Sequence, residues 1–175
     1  IGSDENHIDC RFPVQYVIRP QSKEFPDYRG YAGRIAGGVF KTGDKIKILP
    51  SGIESKIKSI DTFNGKIQQA FAPMSVCITL EDDIDISRGN MLVREYNQPN
   101  IGQELDLMIC WMNSRKLILR EKYTIRHTSQ SARCIIQAIR YKIDINTLHR
   151  IEDTKEIGLN DIGRIAIKTT QPLFY

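Results

Sequence analysis

The chain has 175 residues, 41% of them hydrophobic and 26% charged, and its 25 basic and 21 acidic side chains leave a net charge of +4. This length suffices for one large or two small domains with a real core, and the composition excludes the disordered and membrane classes. No apolar run nears the roughly 18 residues that a membrane-crossing helix needs, IGSDENHIDC lacks a signal layout, and so mild a basic excess does not by itself argue for nucleic acid. A cytoplasmic protein is expected.

The first predicted element is a strand in which Val14, Tyr16 and Ile18 share one face. The stretch GRIAGGVFKTGDKIKILPSG, Gly33 to Gly52, follows it and raises the question of a phosphate loop. Such a loop needs Gly-Lys-Ser/Thr at its end, so that backbone N–H groups, a lysine and a metal-binding hydroxyl converge. Here Lys41-Thr42-Gly43 reverses that order, and the glycines fall within and between strands, where they mark bulges, bends or close backbone approaches. Strands with Ile46 and Ile48, and with Val76, Ile78 and Leu80, come next. They are punctuated by turn residues at Thr42 to Asp44, Pro50 to Gly52, Asn64-Gly65 and Arg88 to Asn90.

REYNQPNI, Arg94 to Ile101, is polar and carries Pro99, which predicts a linker. Beyond it Leu105, Leu107 and Ile109 alternate with Asp106, Met108 and Cys110, and KYTIRHT, ARCIIQAIRYKIDI and GRIAIKT read as longer strands. In the last of these Ile165 and Ile167 face one way, Arg164 and Lys168 the other. No window carries the apolar stripe of an amphipathic helix. The expected fold class is all-β, two tandem antiparallel β-barrels over residues 8–96 and 103–175 joined by a linker at 97–102.

Four cysteines, Cys10, Cys77, Cys110 and Cys134, form no Cys-x-x-Cys pair and are read as buried thiols. The three histidines, His7, His127 and His149, are too dispersed for a zinc set, and no Gly-x-Ser-x-Gly occurs. No catalytic, cofactor-binding or metal-ligating residue is assigned. EDDIDISRG sets Glu81, Asp82, Asp83 and Asp85 close together, without the glycine and closing glutamate of a calcium loop. It reads as a solvated or partner-docking loop, anchored by Ile84 and Ile86, with Arg88 at its end. A basic run through Arg115, Lys116, Arg120, Lys122, Arg126 and Arg133 has Tyr123 and His127 interleaved and Glu121 interrupting it. Its alternation suits solvated strand faces; Arg115, Lys116 and Arg120 are the candidates for contact with an acidic partner. Trp111 is expected to anchor a core or a domain interface.

A glycine-bearing hairpin, Gly43-Asp44-Lys45 and a linker into a second β-domain together resemble domains two and three of the elongation factor Tu family. RFPVQYVIRP, YRGYAGRIAGGVFKTGDKIKILPSG and LEDDIDISRGNMLV resemble the large, GTPase subunit of bacterial sulfate adenylyltransferase more specifically. IRYKIDINTLHR and LNDIGRIAI resemble its third domain. Thr42 and Asn90 stand where that family tends to have proline and aspartate. The resemblance implies a piece of a longer protein whose N-terminal domain, absent here, binds GTP and Mg²⁺. The parent complex couples GTP hydrolysis to synthesis of adenosine 5′-phosphosulfate from ATP and sulfate. The implied partners are the GTPase domain and the small catalytic subunit, with neither membrane nor nucleic acid, and some relatives continue into an adenylylsulfate kinase. Two other readings stay open: an RNA-binding barrel pair of an elongation-factor-like GTPase, and an enzyme complete in itself.

Overall fold

The computed structural model describes residues 6–20, 28–152 and 154–175, which form strands, turns and loops without a helix, as expected. The chain divides into two compact units, Ile1–Gln98 with Thr128–Gln130, and Pro99–His127 with Ser131–Tyr175.

The first unit contains β1 (Arg11–Ile18), β2 (Gly30–Arg34), β3 (Val39–Lys41), β4 (Lys45–Leu49), β5 (Ile53–Thr62), β6 (Gly65–Ile67), β7 (Gln69–Phe71), β8 (Ser75–Leu80) and β9 (Met91–Arg94). Pairing runs β4-β9-β1-β2-β8-β5, and β5 pairs again with β4, so the hydrogen-bonded path returns to its start. β5 can do this because it is ten residues long. Its first residues pair with β4, its middle with β8, and Ile60 to Thr62 with β6. β3 and β7 form a separate ribbon.

Period-two alternation turns Ile46, Ile48, Val76, Ile78 and Leu80 into the core, where all are buried together with Phe12, Tyr31 and Phe40. β1 departs from the expected pattern. Val14 is fully buried but Tyr16 is 68% exposed, and Val17 packs on the core instead. A register shift between Val14 and Tyr16 is the cause, since one extra residue in a strand reverses the facing of all that follow. The glycine stretch does what its place in strands suggests: a Cβ on Gly33 would lie 2.5 Å from the Pro13 carbonyl oxygen of the neighbouring strand.

The second unit contains β10 (Ile101–Cys110), β11 (Lys122–His127), β12 (Gln130–Ile143), β13 (Arg150–Ile151) and β14 (Ile162–Phe174). Its order is β10-β14-β12-β11, with β13 on β12, and among the described residues this path does not return on itself. Ile101 and Gly102, expected in the linker, pair with Phe174 and Leu173 as the start of β10. Ile165 and Ile167 are buried as expected, with Leu117, Cys134, Ile136 and Ile157. Leu105, Leu107 and Ile109 lean on this core while Asp106, Met108 and Cys110 face outward.

One turn of this unit carries a titration prediction. Asp161 Oδ2 accepts hydrogen bonds from Lys142 Nζ at 2.8 Å and from the Gly158 N–H at 2.7 Å. The Lys142 bond, against the opposing effect of burial and with help from Gly158, holds the carboxyl below the usual carboxylate range. A depressed folded-state pKa stabilises fully above the unfolded value, about 3.9, and that contribution is lost as pH falls through the folded value. Asp161→Asn is expected to cost about 1 kcal/mol at pH 7 and to flatten the acid limb of stability against pH. Urea midpoints at intervals between neutral and strongly acidic pH measure this; parallel curves for the two proteins would contradict it.

Candidate functional site

The first unit carries a cleft of about 1020 Å³ whose floor is the outer face of the sheet. Ile60, Ile78 and Tyr31 point into the core, so strand alternation places Ser59, Asp61, Cys77, Thr79 and Gly30 on the opposite face. Register then sets them in rows. Asp61 lies opposite Lys66 on one side and Cys77 on the other, and Ser59 lies opposite Thr79, which lies opposite Gly30. Gly30 is required here, because a Cβ would meet Cys77 Sγ at 2.4 Å and the Tyr28 ring at 2.8 Å. Its absence lets Tyr28 lie against the strands.

The hydroxyls of this floor converge on one oxygen. Tyr28 and Ser59 donate to Asp61 Oδ2 at 3.3 and 3.2 Å. Ser59 has one proton and has given it to Asp61, so at the 2.8 Å contact with Thr79 it is Thr79 that donates. The same argument makes Cys77 the donor to Tyr28 at 3.4 Å. Asp61 Oδ1, by contrast, is buried and has no hydrogen-bond partner among the described residues. Burial, chiefly, pushes the Tyr28 hydroxyl and the Cys77 thiol upward, so both stay protonated at neutral pH.

The acidic loop lines the same cleft. Ile84 and Ile86 are buried at 8% and 1% exposure and anchor it, as the alternation suggests, and the Tyr31 hydroxyl donates to the Ile84 carbonyl at 2.7 Å. Asp82 accepts from Ser55 Oγ at 2.7 Å and is thereby committed within the fold. Asp83 pairs with Arg29 at 2.6 Å and Asp85 with Arg19 at 3.5 Å, yet these two carboxylates are 83% and 94% exposed. Arg88 donates to the Gln15 carbonyl at 3.1 Å. Lys58 and Lys66 also line the cleft and have no ion pair among the described residues.

Arg115, Lys116 and Arg120 belong to the second unit. Arg115 pairs with Glu121 at 2.8 Å, Lys116 pairs with Glu156, and Arg120 sits exposed in the left-handed region at φ 63°. Trp111 packs edge-on to Tyr123 with ring centroids 5.7 Å apart and donates to the Arg115 carbonyl, which makes it a core anchor of that unit. All four cysteines are free thiols; Cys10 and Cys134 are buried and Cys77 half-buried. Cys110 corrects the expectation of burial: it follows Asp106 and Met108 on the outward parity of β10 and is exposed. Among the described residues no cluster of three His, Cys, Asp or Glu side chains could hold a metal. The Gly33 to Gly52 stretch does not fit a nucleotide phosphate, since its residues form strands and hairpin turns packed on β1 and β5.

Sequence reasoning found the loop and missed the floor. Ser59 and Asp61 alternate with Ile60, and that spacing says only that they face outward. Their meeting with Thr79 and Tyr28 brings together residues 20 and 33 positions apart in sequence.

The fold is that of β-domains in elongation-factor-type proteins. Sup35 complexed with GDP superposes with a TM-score of 0.82 at 12% identity over 95% of this chain and 40% of that one. Translation elongation factor SelB from Methanococcus maripaludis gives 0.76 at 16% identity over 100% of this chain and 38% of that one. Residues 104–175 match the family described as GTP-eEF1A C-terminal domain-like. Sequence narrows the kinship. The chain is 45% identical over 174 residues to the bifunctional enzyme CysN/CysC of Mycobacterium tuberculosis, covering 99% of this chain and 28% of that protein. It is 42% identical over 175 residues to sulfate adenylyltransferase subunit 1 of Bacteroides fragilis, covering 100% of this chain and 36% of that protein. The chain is therefore a relative of sulfate adenylyltransferase subunit 1 along its whole length, and it spans about a third of the length of the curated relatives it matches. No helix among the described residues is long and apolar enough to cross a membrane.

Proposed function

We propose that this chain supplies the non-catalytic β-domains of a sulfate adenylyltransferase large subunit, where they dock a GTP- and Mg²⁺-binding domain and the small catalytic subunit. The assembled enzyme would couple GTP hydrolysis to formation of adenosine 5′-phosphosulfate and pyrophosphate from ATP and sulfate. The observation that carries this reading is the 40–45% identity to such subunits across the whole chain, joined to a fold shared with elongation-factor-type proteins. Chemistry in the cleft agrees with a binding role. Burial moves the Cys77 thiol away from the lowered pKa that makes a cysteine nucleophilic.

In this reading Asp83, Asp85 and Arg88 of the first unit and Arg115, Lys116 and Arg120 of the second are candidate docking residues. Asp82 is less available because Ser55 holds it. Reversing Asp83 and Asp85 to lysine should weaken association with the small subunit or the nucleotide domain by about tenfold or more, the usual loss for charged contacts across an interface. The exposed pair of Asp85 with Arg19 contributes only about 0.2–1 kcal/mol, whereas Arg29 beside Asp83 is 19% exposed, so Asp83→Lys should lower the melting temperature more than Asp85→Lys, and association is compared below both transitions. Sedimentation of the reconstituted complex with the double variant tests it, and undiminished association would reject the acidic loop as a docking element.

A further inference from the structure

We propose that Asn64 is a site at which the chain modifies itself, its side-chain amide being lost to attack by the Gly65 backbone nitrogen when the turn between β5 and β6 opens. The inference is independent of the docking reading above.

Three observations lead there. The first is the order of residues. Asn64 is the one asparagine of the chain that precedes a glycine. A backbone nitrogen with no side chain beside it is the least obstructed nucleophile the main chain offers, and here it belongs to the same molecule as its target. Glycine is also what the turn demands, since Gly65 stands in the left-handed region at φ 110°.

The second is access. Asn64 and Gly65 are exposed, the Phe63 ring lies wholly in solvent, and nothing lies within 4 Å of where a Cβ on Gly65 would stand. The Asn64 side chain makes no hydrogen bond among the described residues, so its amide is free to turn toward the nitrogen that follows. Asn6, Asn90, Asn97 and Asn113, by contrast, all have their side chains held in hydrogen bonds.

The third is the place of the turn in the sheet. β6 has three residues, lies at the end of the strand order and pairs with β5 alone among the described residues. Attack requires this hairpin to open, because Gly65 pairs with Thr62 while it is closed. Such short edge segments open locally at far smaller cost than core strands. What resists opening is Thr62, whose hydroxyl donates to the Gly65 carbonyl at 2.9 Å and accepts from the Asn64 N–H at 3.3 Å.

In the step itself the Gly65 nitrogen bonds to Asn64 Cγ while its proton passes through water to the departing Nδ2. The Cγ–Nδ2 bond breaks, ammonia leaves, and a five-membered succinimide remains. Water then opens the ring. Cleavage between the nitrogen and Cγ leaves aspartate; cleavage between the nitrogen and the Asn64 carbonyl carbon leaves isoaspartate, with its longer main chain. Nothing is oxidised or reduced, and either product sets a new carboxylate two residues before Lys66.

The test incubates the intact chain at neutral pH and physiological temperature for several weeks. The tryptic peptide Ser59–Lys66 is followed by chromatography and mass spectrometry, and isoaspartate is identified by enzymatic methylation. Steady loss of asparagine is expected at Asn64 ahead of every other asparagine. The free peptide SIDTFNGK should react about tenfold faster than the folded chain, and Thr62→Val, checked as folded by circular dichroism, also about tenfold faster, the effect of losing the hydrogen bonds that close the turn. Asn64→Gln, which cannot close a five-membered ring, should leave the peptide unchanged. No loss at Asn64 while the free peptide reacts, equal rates in Thr62→Val and wild type, equal rates in the free peptide and the folded chain, or faster loss at another asparagine would each overturn the proposal.

Discussion

Phe12→Ala is expected to destabilise the first unit by about 3–5 kcal/mol, the range for removing a fully buried aromatic ring. The size follows from how little the site can collapse. Phe12 has no exposed surface and meets the Phe40 ring edge-on, with centroids 6.3 Å apart and planes 70° from parallel. Its strand is held on both sides, Phe12 lying opposite Leu92 of β9 while the same strand pairs with β2 through Val14 and Gly33. Those strands belong to a path of hydrogen bonds that returns to its start, so no single strand can move inward to fill the space without breaking pairings elsewhere. The residual cavity therefore persists, and cavity volume is what separates expensive truncations from cheap ones. Urea unfolding followed by far-ultraviolet circular dichroism measures the loss. A cost below about 1 kcal/mol would mean that the core repacks and that the ring of pairings is not rigid.

What the sequence disclosed, and where it fell silent, follows the physics of strands. Alternation is a local signal, and it identified Ile46, Ile48, Ile165 and Ile167 as core and Arg164 and Lys168 as outward. It failed in β1 after Val14, because a bulge leaves no mark in residue types when both Tyr16 and Val17 are acceptable in a strand. Burial of Cys110 was expected from cysteine's general preference, which its parity on β10 overrides. The acidic loop was legible as a loop because Ile84 and Ile86 interrupt its carboxylates at even spacing. The cleft floor was not, because Asp61 acquires its meaning from Tyr28, Thr79 and Cys77, and register between distant strands is set by the whole hydrophobic pattern together with the turns. Resemblance carried the reading furthest: long strings such as EDDIDISRG and RYKIDINTL encode family even where their chemistry is plain.

Gly38 and Gly43 should respond very differently to the same substitution, although both have positive φ, +76° and +86°. At Gly43 nothing lies within 4 Å of where a Cβ would stand, so alanine there meets only the intrinsic cost of the left-handed conformation, about 1–2 kcal/mol. At Gly38 the Cβ would come within 2.5 Å of both Cys10 Cα and Cys10 Sγ. Backbone cannot yield as a flexible side-chain tip can. Gly38 is also pinned from both directions, its N–H donating to the Asn6 carbonyl at 2.6 Å and its own carbonyl accepting from Ala72 at 3.2 Å. Cys10 is equally fixed, since its thiol lies 3.3 Å from the Val39 carbonyl and the next residue, Arg11, bonds the Asn97 carbonyl at 2.6 Å. Gly38→Ala must therefore push the backbone leading into β3 away from that leading into β1, adding about 1–3 kcal/mol of overpacking to the conformational cost. The expected result is a loss of about 3 kcal/mol or more for Gly38→Ala against about half that for Gly43→Ala, read from urea midpoints of the two variants. Equal losses would show that turn conformation alone, and not the approach of one backbone to another, accounts for glycine in this stretch.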